Sequence, residues 1–204
     1  MNSVKTGKRK IYPSKIICIG LNYVEHIAEL DNKMPEEMVV FLKPNSAVSD
    51  SVLAVRGEPI HYEGELSFIV EDNHLAYVAF GLDLTKRETQ YRLKKNGHPW
   101  DRAKAFDGAA VFSEFVEIQK DKIGDLYIEL IINDKIVQSG NTNLMIYKPL
   151  EILSAVSQFM TLNNGDIIMT GTPKGVGPLQ SNDQLIGMVK LDGEPLVQNK
   201  WVVE

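Results

Sequence analysis

Apolar residues in this chain come in short, β-branched runs separated by turn residues, a pattern that commits most of it to strands. Such runs lie near Ile16 to Ile19, Val39 to Leu42, Glu65 to Val70, Ala76 to Leu82, Leu126 to Ile132, Asp166 to Thr170, Gln184 to Leu191 and Leu196 to Val203. Asp72-Asn73-His74, Asn133-Asp134-Lys135 and Asp192-Gly193 supply the residues of tight primed turns and predict antiparallel hairpins. Three segments read as helices: Tyr23 to Leu30 with Asn22 as cap, Thr85 to Lys95 ending at Asn96-Gly97, and Leu150 to Met160 after Pro149. The predicted fold class is mainly β with a few α-helices.

At 204 residues the chain can bury roughly 70% of its unfolded surface, enough for a core without disulfides or structural metal. Its net charge of -5 gives no general attraction to nucleic acid or to an anionic membrane face. No run approaches the roughly 18 apolar residues of a membrane span. The single cysteine, Cys18, excludes an intrachain disulfide and makes the cytoplasm the default compartment; its apolar run Lys15-Ile-Ile-Cys-Ile-Gly20 reads as a buried strand holding an inert thiol. Residues 1–14 read as a loose or edge-lying leader, and residues 15–204 as a single domain.

Chemistry concentrates in a few places. His61-Tyr62-Glu63-Gly64-Glu65 opens an apolar strand with two carboxylates at spacing two, which alternation puts on one face. Like charges held together call for a cation between them, and Asp83, at the end of another apolar run, offers a third oxygen ligand for a hard divalent ion. The alternative is an exposed strand whose glutamates face water. His26 and Glu29 share a helical face, either as a carboxylate-oriented general base or as an ordinary surface pair. Thr170-Gly-Thr-Pro-Lys-Gly-Val-Gly177 lacks the ending of a phosphate loop and the helix of a dinucleotide fingerprint. Its glycines instead let backbone pass close to a small ligand, with Thr172 offering a hydroxyl. Lys43 and Lys104, in apolar surroundings, are buried anion partners or snorkelling stems.

The order of these elements resembles the fumarylacetoacetate hydrolase family from about Lys15 onward. The resemblance rests on Gly20-Leu-Asn-Tyr-Val-Glu-His-Ile-Ala-Glu29, Phe41-Leu-Lys-Pro44, Tyr62-Glu-Gly-Glu-Leu66, Gly81-Leu-Asp-Leu-Thr-Lys-Arg87 with Gln90, Trp100 to Asp107, Gln138-Ser-Gly-Asn-Thr142 and the Thr170 to Gly177 segment. It implies a mixed β-sandwich roll, a homodimer, and Mg²⁺ or Mn²⁺ held by Glu63, Glu65 and Asp83. It also implies a lid bearing His26 and Glu29 as water-activating dyad, Lys104 as a further catalytic group, and substrate contacts from Lys43, Gln90 and Thr172. Similarity is greatest to the short acylpyruvate hydrolases and oxaloacetate decarboxylases. The activity implied first is therefore metal-dependent C–C hydrolysis of an acylpyruvate, a 2,4-dioxo acid, through a metal-stabilised pyruvate enolate. Oxaloacetate decarboxylase or tautomerase and 2-hydroxyhepta-2,4-diene-1,7-dioate isomerase are alternatives, and a catalytically silent metabolite-binding dimer is a reading of another class. The chain departs from the family pattern at Leu21, where some members carry arginine, at Glu88, and at Ser181-Asn182-Asp183.

Overall fold

A computed structural model describes residues 1–7, 9–29 and 34–204. Leu30, the expected end of the first helix, and Lys8 of the expected leader lie outside the described residues. The architecture is mainly β. Its centre is an eight-stranded mixed sheet ordered Val39–Pro44, Lys15–Gly20, Ile167–Met169, Gly64–Glu71, His74–Asp83, Ala110–Phe112, Val48–Ser49, with Val116–Glu117 also on His74–Asp83. Ile167–Met169 runs parallel to Lys15–Gly20 and antiparallel to Gly64–Glu71. A four-stranded sheet, Lys135–Asn141, Tyr127–Ile132, Gln184–Leu191 and Glu194–Val202, packs across it.

Alternation in the central hairpin explains both the core and the site. Leu66, Phe68, Val70, Val78, Phe80 and Leu82 enter a buried cluster shared with Ile128, Leu130, Leu185 and Val189 of the second sheet. The opposite face of the large sheet builds a second cluster from Ile16, Cys18, Ile69, Ala79, Ile167 and Met169. Cys18 is fully buried there, and burial, then Asp83, pushes its thiol well above the usual value, which fits the inert role read from the sequence. All three anticipated hairpin turns form, with positive φ at Asp72 and Asn73, Asn133 and Asp134, and Asp192 and Gly193.

Several boundaries differ from expectation for identifiable reasons. Thr85–Lys86 is a short strand paired with Ile60–Tyr62, so the second helix begins at Arg87 and runs Arg87–Lys95. Asn22 does not cap the first helix, Val24–Glu29. Its side chain accepts from Tyr147 N (2.7 Å) and donates to Thr170 O (2.8 Å) and Tyr147 O (2.9 Å), joining three segments. The last helix, Pro149–Ser157, starts on a capping interaction in which Glu151 accepts from Lys148 N at 2.8 Å. Within the first 14 residues Val4–Thr6 pairs with Arg9–Ile11, and Val4 and Ile11 join the second cluster. Among the described residues no helix is long and apolar enough to cross a membrane.

Candidate active site

Glu63, Glu65 and Asp83 come together where the central hairpin opens. Glu65 pairs with Gly81 across the ladder, and Asp83 N donates to Glu63 O at 2.8 Å, so the register carries all three carboxylates to one end of the sheet. One oxygen from each lies within 4.8 Å of the others, and all three side chains are buried. Three buried carboxylates at this spacing cannot remain ionised without cations.

The protein supplies three. Lys104, on the short helix Asp101–Lys104, donates from Nζ to Glu63 Oε2 (2.7 Å), Asp83 Oδ2 (2.8 Å) and Thr85 Oγ1 (2.6 Å). Burial works against the Lys104 ammonium, but Asp83 and Glu63 outweigh it and raise its pKa, so the group stays charged. Arg87 pairs with Glu63 Oε1 and donates to Gln90 Oε1 at 2.7 Å. Lys43 pairs with the backbone carbonyl of Lys104 and lies 2.7 Å from Asp83 Oδ1, off the hydrogen-bonding direction, which leaves that buried oxygen without a donor.

Compensation is uneven. Burial would raise the Glu63 carboxyl, but Lys104 and Arg87 hold it far below the usual carboxylate range. Glu65 is pushed well above that range by burial and by Asp83 and Glu63; its side-chain hydrogen bond is from Gly171 N at 2.8 Å. An all-oxygen donor set with one under-compensated carboxylate and one donor-free buried oxygen fits a hard divalent cation such as Mg²⁺ or Mn²⁺.

The second half of the site is the helix Val24–Glu29. His26 is buried with Nδ1 3.2 Å from Glu29 Oε2, while Glu29 Oε1 accepts from Gly175 N at 2.9 Å. The glycines of the Thr170 to Gly177 loop, expected to let backbone pass close to a small ligand, make close approaches to the protein itself. A Cβ on Gly175 (φ +99°) would sit 2.0 Å from Val137 O, and one on Gly171 (φ +96°) 2.8 Å from Asn22 Cβ. Both glycines present N–H donors to site carboxylates at a distance no larger residue allows. Thr172 Oγ1 donates to Gly64 O (2.9 Å) and accepts from Gln138 Nε2 (2.8 Å); Gln138 Oε1 in turn accepts from Gly64 N (2.8 Å).

His26, the three carboxylates, Lys104, Gln90 and Thr172 line one cavity. Lys43 does not reach it: expected against substrate, this fully buried lysine stands behind Asp83. A larger cleft near Val48, Leu84 and Phe106 holds no comparable cluster among the described residues, so chemistry rather than size selects the smaller one. Sequence reasoning gave no role to Arg87, Lys94 or Trp100, which also line the cavity. Arg87, Gln90 and Lys94, at i, i+3 and i+7 of one helix, carried a periodic signal that could have found them.

The profile described as "Fumarylacetoacetate (FAA) hydrolase C-terminal" matches residues 15–200. The chain belongs to the fumarylacetoacetate hydrolase family. Members of this enzyme family similar to it include the oxaloacetate tautomerase YcgM of Escherichia coli K12, 39% identical with 91% of this chain and 92% of that protein covered. The mitochondrial oxaloacetate tautomerase FAHD1 of Bos taurus is 38% identical, covering 83% and 84%. Among solved structures, a fumarylacetoacetate isomerase/hydrolase homologue from Oleispira antarctica superposes with a TM-score of 0.94 at 32% identity, covering 100% of both chains. Fumarylpyruvate hydrolase from Pseudomonas aeruginosa, in complex with Mn²⁺ and pyruvate, gives 0.86 at 27% identity, covering 100% of this chain and 96% of that one. The family's fold is therefore the mixed β roll described above.

Proposed function

We propose that this family member is a metal-dependent tautomerase of oxaloacetate, moving one proton between the 2-oxygen and C3 of a small 2-oxo acid. The observation that carries the reading is that a buried three-carboxylate cluster and a carboxylate-oriented imidazole line the same cavity. The activity named for the relatives at 38–39% identity puts tautomerisation ahead of the hydrolysis expected from the motifs alone.

Glu63, Glu65 and Asp83 would hold Mg²⁺ or Mn²⁺, which when bound supplies positive charge to the substrate's carboxylate and 2-oxygen. Lys43, Lys104 and Arg87 pair with Glu63 and Asp83 and not with Glu65; as formal charges three cations offset three carboxylates, so a bound divalent ion would leave the cavity positive and favour an anion. Lys104, fixed by Glu63, Asp83 and Thr85, keeps an ammonium beside the position where negative charge grows on the 2-oxygen. Glu29 at Nδ1 orients His26 so that Nε2 can take a proton from C3 or return it. Gln90 and Thr172 would orient the substrate at the wall. The proton leaving the enol oxygen is matched by the one gained at C3, and no carbon–carbon bond breaks.

Loss of the enol absorbance of oxaloacetate, followed with Mg²⁺ and with EDTA against the spontaneous rate, tests the proposal. Acceleration that EDTA abolishes supports it; a rate equal to the spontaneous one rejects it. A second reading, C–C hydrolysis of an acylpyruvate by a His26-activated water, is favoured by the likeness to fumarylpyruvate hydrolase. Pyruvate release from acetylpyruvate would identify it, and turnover of neither substrate would leave a silent metabolite-binding protein. We extend the proposal to residues 15–204 acting as one catalytic domain and to a homodimer, which light scattering tests.

A further inference from the structure

We propose that Leu21, with Phe41 and Trp100, forms an apolar wall that fits the site to 2-oxo acids ending in a compact branched apolar group, a substrate class beyond oxaloacetate. This rests on the ion and 2-oxo acid of the proposed function and adds a specificity-determining residue to it.

Leu21 is singled out by its backbone. At φ +58° it lies in the left-handed region, where a Cβ crowds the following carbonyl. Among the described residues, the other non-glycine positions with positive φ are Asp72, Asn73, Asn133, Asp134, Asn182 and Asp192, the short polar types whose side chains can bond locally there. Leucine has no such compensation. Its neighbours enforce the bend: Gly20 is paired with Val39 across the sheet, and the Asn22 side chain is bonded to Tyr147 and Thr170. Glycine would make the same bend without strain, so what leucine adds at this position is its side chain.

The surroundings say what that side chain does. Leu21, Phe41 and Trp100 line the cavity together with Lys104 and the three carboxylates. The Phe41 and Trp100 rings are 5.7 Å apart and tilted by 55°. A Cβ on Gly20 would lie 3.5 Å from Trp100 Cζ3 and 3.7 Å from Phe41 Cε1, so the aromatic pair lies against the backbone that delivers Leu21. Lys104 Nζ is 5.3 Å from the centre of the Phe41 ring, which starts the wall beside the ammonium proposed to face the 2-oxygen. An acid whose carboxylate and 2-oxygen are taken by the ion has its remaining carbons to offer this wall. A branched alkyl group buried there removes apolar surface from water on both sides, whereas a carboxylate pressed against aliphatic and aromatic carbon loses hydration.

2-Hydroxy-4-methylpentanoate and malate test this directly. Each offers the ion a carboxylate and an adjacent hydroxyl, and they differ in ending in an isopropyl group or a carboxylate. Calorimetric titration of the Mg²⁺-loaded protein is expected to show binding of the branched acid. Its affinity relative to malate should fall about tenfold or more in Leu21→Gly, while Leu21→Met keeps most of it. Glycine suits the left-handed backbone, so Leu21→Gly should keep its fold, with a melting temperature unchanged or raised. No binding of the branched acid by the unaltered protein, an unchanged ratio of the two affinities, or an equal loss for both ligands would overturn the assignment, since a merely structural leucine would move both together. The enol assay is read separately: a ratio that falls in a protein without turnover upholds the wall and rejects the tautomerase, and turnover with an unchanged ratio does the reverse.

Discussion

The two halves of the cavity are built on different foundations. The carboxylate half stands on the central hairpin, where Glu65 and Asp83 are 1% exposed and the ladder fixes their register. The dyad half hangs on a six-residue helix, Val24–Glu29, secured through Gly175 N to Glu29 and through Lys174 to the exposed Glu25 at 2.9 Å. Those contacts tie the described part of the helix to the glycine loop. The contrast teaches that the half proposed to bind the ion is pre-organised by the core, while the half proposed to transfer the proton should tolerate alteration with less effect on the fold.

Substitutions should divide along that line. The largest effect is expected from Glu65→Gln, which removes one of three carboxylates. Mg²⁺ affinity should drop by at least about 100-fold, beyond the 10–100-fold typical of outer-shell partners, with activity lost alongside, as calorimetry and the enol assay would record. His26→Ala should lower kcat by about 10²–10⁴-fold, the usual contribution of a general base, while Mg²⁺ affinity measured by titration stays within about twofold. Equal losses of ion binding in both variants would erase the distinction between the halves.

A pH series sharpens the comparison. Glu65 has its folded pKa raised above the ordinary 4.5, so the stability tied to its protonated form is full below 4.5 and is lost as pH rises through the folded value. Glu63, with its pKa depressed, contributes stability that is present above 4.5 and lost as pH falls toward its folded value. Metal-free protein should therefore lose melting temperature as pH rises above about 4.5 through the Glu65 transition, and both Mg²⁺ and Glu65→Gln should remove that decline. The smallest effect is expected from Glu25→Ala. It removes an exposed ion pair worth about 0–1 kcal/mol, so the melting temperature should barely move and kcat should change by about twofold or less.

Legibility in the sequence follows the same physics. Glu63 and Glu65 were visible because strand alternation is a two-residue rule, and the hairpin turns because positive φ selects Asp, Asn and Gly. Lys104 sits on a four-residue helix, too short to display a period, so composition left it between buried partner and surface stem. Lys43 pairs with Ile16 across the sheet, and its position behind Asp83 depends on a contact 40 residues away that no local pattern encodes. Thr85 and Lys86 carried helical character but were captured by pairing with His61 and Ile60. The role of Gly175 depends on Val137 O, and could be guessed as a close approach but not assigned to Glu29.

Anomalous diffraction from crystals soaked in Mn²⁺ tests the central claim most directly. The account predicts a single strong peak bounded by Glu63, Glu65 and Asp83 on the His26 side of the sheet. A map with no peak there, and Glu63 and Asp83 still held by Lys104, Arg87 and Lys43, would contradict it.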